Sequence, residues 1–111
     1  MIKLLRYNKE VWQNMVINKN VPAKEILEFR DKREWGIHHT PSNLVKSISV
    51  EAAELLELYQ WGDDASNIER VKEELADVLI YSITLAERLE LDISEIILEK
   101  IKKNGIKYPE K

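Results

Sequence analysis

The sequence contains no cysteine and little glycine or proline, with three residues of each of the latter among 111. The lack of cysteine excludes disulfide bonds and thiolate catalysis, and it is typical of proteins from reducing compartments. Few glycines and prolines in a chain rich in Glu, Lys and Leu favour long helices over a loop-rich or β-rich fold. The composition therefore predicts an all-α protein.

Long apolar runs and an excess of positive charge are also missing. The longest mostly apolar run, residues 78–86, is far shorter than the roughly 20 residues of a membrane-spanning helix. No signal peptide is visible, so we expect a cytoplasmic protein without a membrane partner. A formal net charge of −3 gives no electrostatic reason to expect binding to a nucleic-acid polymer. With 44% hydrophobic and 33% charged residues, the composition is typical of one globular domain.

Turn signals and capping residues divide most of the chain into four helical segments. The predicted helices run from Pro22 to about Trp35, from Thr40 or Ser42 to about Gln60, from Ser66 to Leu89, and from Ile93 to about Lys103. The predicted N-caps are Thr40 or Ser42, Ser66 and Asp92, and Asn104-Gly105 is the predicted stop of the last helix. A short helix around residues 8–17 is a further expectation.

The third predicted helix is apolar on two sides. Its main stripe is joined by Ile80 and Ile83 on the far side of the helix. A helix that is apolar nearly all round is buried on two sides, which a chain of this size hardly achieves alone. We therefore expect a homo-oligomer.

Two pairs of carboxylates stand out on the second and third predicted helices. Glu51 and Glu54 are three residues apart, as are Glu74 and Asp77, and this spacing places the members of each pair about 60° apart on one helix face. Glu51 also lies in an apolar stripe, which consists of Leu44, Ile48, Leu55 and Leu58. A carboxylate in that position needs a cation or a strong hydrogen-bond donor.

If the two helices pack antiparallel, these four carboxylates converge on one pocket and repel one another. Oxygen ligands of this kind suit a hard divalent cation such as magnesium, manganese or calcium. The competing interpretation is that glutamates at this spacing on a helix are solvated and bind nothing. The spacing alone leaves both possibilities open.

Four segments in a fixed order carry a resemblance to a known family: REWGIHHTPSNL, EAAELLELYQW, EELADVLIYSITLAERLELD and KIKKNGIKYP. Together they resemble the MazG-like nucleoside-triphosphate pyrophosphohydrolases, with the greatest likeness to the dCTP-pyrophosphatase branch. The resemblance implies a four-helix core of antiparallel helix pairs, assembled as a dimer or tetramer. It places this domain at residues 22–111 and leaves residues 1–21 as an N-terminal extension.

The resemblance also implies an activity and a set of site residues. The expected reaction is Mg²⁺-dependent hydrolysis, with Mn²⁺ as a possible substitute, of a (deoxy)nucleoside triphosphate to the monophosphate and pyrophosphate. A dCTP-like substrate and a role in cleaning the nucleotide pool are expected. The residues it implies as catalytic metal ligands are Glu51, Glu54, Glu74 and Asp77. Those it implies as substrate contacts are Trp35, His39 and Trp61 at the base or sugar, and Lys100, Asn104 and Tyr108 at the phosphates and sugar.

The alternative hypothesis is a helical metal-binding or oligomerisation module without catalysis. Such a module needs the carboxylates, but it does not need aromatic, histidine and lysine side chains arranged around them. The two hypotheses therefore differ in what they predict beside the metal site.

Overall fold

The structure of the protein is a computed structural model that describes residues 21–65 and 67–111. These residues form four α-helices and one short 3₁₀ helix, without any β-strand, which confirms the predicted all-α class. The elements are α1 (Ala23–Lys32), the 3₁₀ helix (Trp35–His38), α2 (Pro41–Glu57), α3 (Ile68–Arg88) and α4 (Ile93–Lys107). The expected helix at residues 8–17 lies outside the described residues. None of the described helices is both long enough and apolar enough to cross a lipid bilayer.

Side-chain caps open three of the helices. Thr40 caps α2 by accepting a hydrogen bond from the backbone N–H of Asn43 at 3.2 Å, and Asp92 caps α4 in the same way from Glu95 at 2.8 Å. Both caps were among those that the sequence predicts. The predicted cap Ser66 lies outside the described residues, and the N-cap of α3 is Asn67, one position later. A satisfied N–H at each start stabilises a helix by about 1 kcal/mol.

Three predicted helix ends are wrong. α2 ends at Glu57 rather than near Gln60, and residues 58–60 form a turn. α1 ends at Lys32 rather than near Trp35, because Glu34 takes a left-handed conformation (φ 55°) that an α-helix of L-residues cannot contain. α4 continues through Asn104-Gly105 to Lys107, and the N–H of Tyr108 still bonds to the carbonyl of Asn104 at 2.7 Å. Pro109 follows, and the residue before a proline is disfavoured in the helical conformation.

Helices α2 and α3 form an antiparallel pair that contains the core. His39, just before α2, has its ring 6.2 Å from that of Tyr81 in the second half of α3, whereas Glu51 and Glu54 lie beside Glu74 in the first half. Leu44 and Thr84 are the most deeply buried side chains, at 0% and 2% exposure. This pairing sets the carboxylates of the two helices against each other.

The remaining helices differ in how much they pack. α1 lies against the 3₁₀ helix and α3, so the three elements surround one space. On α4 the large apolar side chains remain exposed, among them Ile97, Leu98 and Ile101. Leu79 and Ile80 on α3 are also exposed. Of the two residues that the sequence marks on the far side of α3, Ile80 is 40% exposed within the described part of the chain and Ile83 is half-buried.

Candidate metal and nucleotide site

Three carboxylates meet between α2 and α3. One oxygen from each of Glu51, Glu54 and Glu74 lies within 4.8 Å of the other two. The Oε2 atoms of Glu51 and Glu74 are buried and have no hydrogen-bond partner among the described residues. Arg70 is paired with the cluster, and its guanidinium lies 3.5 Å from the other oxygen of Glu74. Buried oxygens without donors are costly, so a cation beside these two atoms would stabilise the cluster.

The electrostatics of the cluster centre on Glu51. The pKa of its carboxyl group is raised to about 7, first by burial, then by a hydrogen bond to Glu54 and the negative charges of Glu54 and Asp77, and last by a hydrogen bond to Glu74. Asp77 is thereby close enough to act on Glu51, although it is not one of the three converging carboxylates. A divalent cation would relieve this repulsion, and a set of carboxylate oxygens fits Mg²⁺ or Mn²⁺.

A cavity of about 470 Å³ opens beside the carboxylates, between α1, the 3₁₀ helix and α3. Apart from two acids and one arginine its lining consists mainly of aromatic and aliphatic side chains, and its volume is in the range of small-molecule sites. Asp77 lines this cavity and also acts on Glu51, so cavity and cluster adjoin. The complete lining is Glu25, Ile26, Phe29, Arg30, Trp35, His39, Asp77, Ile80, Tyr81 and Thr84.

Four rings form a continuous wall of the cavity. Phe29 meets Trp35 edge-on at 5.7 Å, Trp35 lies 6.4 Å from His39, and His39 meets Tyr81 edge-on at 6.2 Å between ring centroids. Trp35 is 45% exposed, which leaves part of its indole free for a ligand. Flat aromatic faces of this kind can stack against a nucleobase.

The surroundings of His39 and Tyr81 shift the pKa of both side chains toward their neutral forms. Burial lowers the pKa of the His39 imidazole, and the positive charges of Arg30 and Arg88 lower it further, so the ring is neutral near pH 7. Its Nδ1 is buried without a hydrogen-bond partner among the described residues and is available to a ligand. Burial, followed by the charges of Glu51 and Asp77, raises the pKa of Tyr81, whose phenol therefore remains a hydrogen-bond donor.

The structure brings six of the ten predicted site residues together: the three carboxylates of the cluster and Asp77, Trp35 and His39 of the cavity. The other four do not line this cavity within the described chain. Trp61 is 92% exposed in the connection after α2, and Lys100, Asn104 and Tyr108 lie on or just after α4. Their roles at the substrate stay predictions.

Sequence reasoning missed Phe29, Arg30 and Tyr81 as cavity residues. A signal for Arg30 existed, because a cation shares the apolar side of α1 with Ile26, as Glu51 shares the apolar stripe of α2. Arg30 is 8% exposed and pairs with Asp31 and Glu87. On both helices, a charged residue on an apolar face therefore marks a residue of the site, although sequence reasoning used this signal only for Glu51.

Comparison with known families decides the relationship. A model of the MazG-like family matches residues 46–111, which contain all four carboxylates. This chain belongs to the MazG-like family. Its relatives include dCTP pyrophosphatase 1 from Homo sapiens, 40% identical over 91 residues, and dCTP pyrophosphatase 1 from Rattus norvegicus, 36% identical over 91 residues. Each match covers 74% of this chain but 54% of the relative, so the chain spans about half the length of these relatives.

A solved structure shares the fold of this chain over nearly its whole length. The crystal structure of a pyrophosphatase from Archaeoglobus fulgidus superposes with a TM-score of 0.71 and 36% sequence identity. The match covers 95% of this chain and 97% of the other. At this identity the likeness supports the fold derived above from the helices themselves.

Proposed function

We propose that this MazG-like chain hydrolyses a (deoxy)nucleoside triphosphate to the monophosphate and pyrophosphate, with the help of a divalent cation. The proposal rests on one observation: a negatively charged carboxylate cluster adjoins an aromatic cavity of nucleoside size. Asp77 connects the two, because it lines the cavity and its charge acts on Glu51. One half suits a metal-bound phosphate chain, and the other suits a base. The relatives named dCTP pyrophosphatase 1 support dCTP as the first substrate to test. We further propose a role in nucleotide-pool cleaning.

The residues of the cluster fit a Mg²⁺ ion, with Mn²⁺ as an alternative. Glu51, Glu54 and Glu74 would hold it, because two of their oxygens are buried without donors, and Asp77 adds a fourth carboxylate beside them. When bound, such an ion offsets the negative charge of phosphate oxygens and lowers the pKa of a bound water. A triphosphate would otherwise be repelled by these acids, so we expect it to arrive as its Mg²⁺ complex.

Different side chains of the protein would contact the base and the phosphate end of the substrate. Trp35 provides an exposed face for stacking, and the neutral His39 offers its unpaired Nδ1 as an acceptor or, in the other tautomer, a donor. Tyr81 donates from its phenol near the carboxylates. Among the four acids, Glu51 has a pKa of about 7 and can therefore accept or release a proton near neutral pH when no cation is present.

A metal-binding module without catalysis explains only half of this arrangement. It accounts for the carboxylates, but it gives no reason for a 470 Å³ aromatic cavity that shares Asp77 with them. The geometry therefore favours the hydrolase. Lys100, Asn104 and Tyr108 stay proposed phosphate and sugar contacts, as Trp61 stays a proposed base contact.

The experiment that tests the proposed function is a panel of nucleoside triphosphates with and without Mg²⁺, followed by release of pyrophosphate. We expect pyrophosphate and monophosphate as products, strict dependence on the divalent cation, and the highest kcat/KM for dCTP. Release of inorganic phosphate instead would show cleavage at a different bond. Binding of Mg²⁺ with no hydrolysis of any triphosphate would leave the metal-binding module as the better account.

We also propose that the protein is a homodimer or homotetramer. The exposed apolar side chains of Leu79 on α3 and of Ile97 and Ile101 on α4 are unusual for a monomer of this size. Sedimentation velocity at micromolar concentration should show a species of at least twice the chain mass of 13.0 kDa. A fully active monomer at that concentration would contradict the proposal.

A further inference from the structure

Two arginines and a glutamate surround the 3₁₀ helix at the C-terminal end of α3. This end lies roughly 15 Å along α3 from Asp77, so it is remote from the carboxylates. Arg30 is buried at 8% exposure, and its Nη1 donates to Oε2 of Glu87 at 2.8 Å. Its Nε donates to Oδ1 of Asp31 at 2.9 Å. The ion pair of Arg30 with Glu87 therefore fastens α1 to the end of α3.

The next residue of α3 reaches the 3₁₀ helix itself. The guanidinium of Arg88 donates through Nη2 to the backbone carbonyl of Gly36, and the same carbonyl accepts the backbone N–H of His39 at 3.2 Å. A Cβ atom at Gly36 would lie 2.8 Å from Nη2 of Arg88 and 3.7 Å from Nε of Arg30. Gly36 does not have a positive φ, so close approach of the guanidinium is the reason that glycine fits here.

The turn held in this way carries the aromatic wall of the cavity. Trp35 directly precedes Gly36, and the backbone N–H of His39 donates to the Gly36 carbonyl. A displacement of this carbonyl should therefore move both rings. Neither ring is fixed from the cavity side by a hydrogen bond among the described residues: Nδ1 of His39 is unpartnered, and Trp35 makes edge contacts to Phe29. The position of the two rings therefore depends on their contacts with neighbouring rings and on the groups that hold the turn from behind.

We infer that Arg30, Glu87 and Arg88 are positioning residues that hold Trp35 and His39 in the geometry required by the nucleoside. Glu87 and Arg88 lie outside the cavity lining, whereas Arg30 forms part of it. The three act through the ion pair and the Gly36 carbonyl. The inference rests on the proposed function, since it assumes that the base occupies this cavity. It assigns to three charged side chains a role in substrate affinity rather than in metal binding.

The test compares Arg88→Lys with wild type in steady-state hydrolysis of dCTP. Lysine keeps the positive charge but loses the guanidinium that reaches the carbonyl. Because part of the stacking affinity depends on ring position, we expect KM to rise by about five- to tenfold while kcat changes by less than about twofold. Gly36→Ala should act in the same direction because its Cβ would displace the guanidinium. Glu99→Gln, on α4, is the control and should change neither constant.

A second measurement reports on the wall without turnover. With Trp12 and Trp61 replaced by phenylalanine, Trp35 is the sole tryptophan, and its emission and acrylamide quenching should change on Arg88→Lys while stabilisation by Mg²⁺ stays the same. If wild type hydrolyses no triphosphate, the proposed function fails. If wild type is active but Arg88→Lys has unchanged KM and an unchanged Trp35 signal, the positioning inference is overturned. Equal losses in kcat and in the response to Mg²⁺ would also overturn it.

Discussion

Replacing Glu51 with glutamine should nearly abolish hydrolysis and make the metal-free protein more stable. The substitution keeps the shape of the side chain and removes one charge from a cluster whose buried oxygens lack donors. Two carboxylates about 4 Å apart repel by roughly 4 kcal/mol at an effective dielectric constant of about 20. Removal of one should therefore raise the melting temperature without metal. Turnover should fall by roughly a hundredfold or more, since the ion would lose a ligand.

The response to Mg²⁺ separates metal binding from general effects of the substitution. At a Mg²⁺ concentration of 100 Kd the ion stabilises the folded state by about 2.7 kcal/mol, and a hundredfold weaker Kd would leave about 0.4 kcal/mol. Glu57→Gln is the matched control, because Glu57 is an exposed glutamate at the end of the same helix. It should leave both the melting temperature and the activity unchanged. An unchanged Mg²⁺ response and turnover in Glu51→Gln would mean that the carboxylates are a solvated helix face.

The pH dependence of stability should also differ between the two proteins. The pKa of Glu51 is raised from 4.5 to about 7 in the folded state, so the folded protein binds the proton more tightly than the unfolded chain does. The resulting destabilisation is absent below pH 4.5, grows as the pH rises, and is complete above about pH 7. Subtracting the stability profile of Glu51→Gln from that of the metal-free wild type should isolate this fall. A pH-independent difference would show that Glu51 titrates normally.

The carboxylates and helices were predictable because helix periodicity is local. Glu51 and Glu54 share a face whatever the rest of the chain does, and an acid within an apolar stripe marks a site before any partner is known. The caps Thr40 and Asp92 were predictable for the same reason, since each satisfies N–H groups three residues away. The convergence with Glu74 needed one further assumption, an antiparallel helix pair, which the structure confirms.

The cavity was not predictable, because it depends on contacts across long stretches of chain. Arg30 joins the lining through its bond to Glu87, and Gly36 is held by Arg88, which no periodicity relates to either residue. The early end of α1 had no sequence signal, since a left-handed glutamate at position 34 is uncommon. The late end of α4 did have one in Pro109, but Asn104-Gly105 resembled a stop more closely.

Replacing Trp35 with alanine should raise KM much more than it lowers kcat. A stack between a base and an aromatic ring contributes about 1–3 kcal/mol, which corresponds to roughly ten- to hundredfold in affinity. The stack is present in the ground state and in the transition state alike, so its loss affects binding and leaves the chemical step nearly unchanged. Trp35→Phe should lie between wild type and alanine because it retains an aromatic face. An unchanged KM in Trp35→Ala would place the base elsewhere.

Trp61→Ala is the informative partner of this experiment, because Trp61 is 92% exposed whereas Trp35 packs against Phe29. Substitution of so exposed a side chain should change the free energy of unfolding by no more than about 0.5 kcal/mol. If Trp61 contacts the base, as the family resemblance implies, KM will rise while the melting temperature stays constant. A drop in melting temperature that depends on protein concentration would instead place Trp61 at a subunit interface. In that case Trp35, which already lines the cavity of the single chain, would be the tryptophan that stacks on the base.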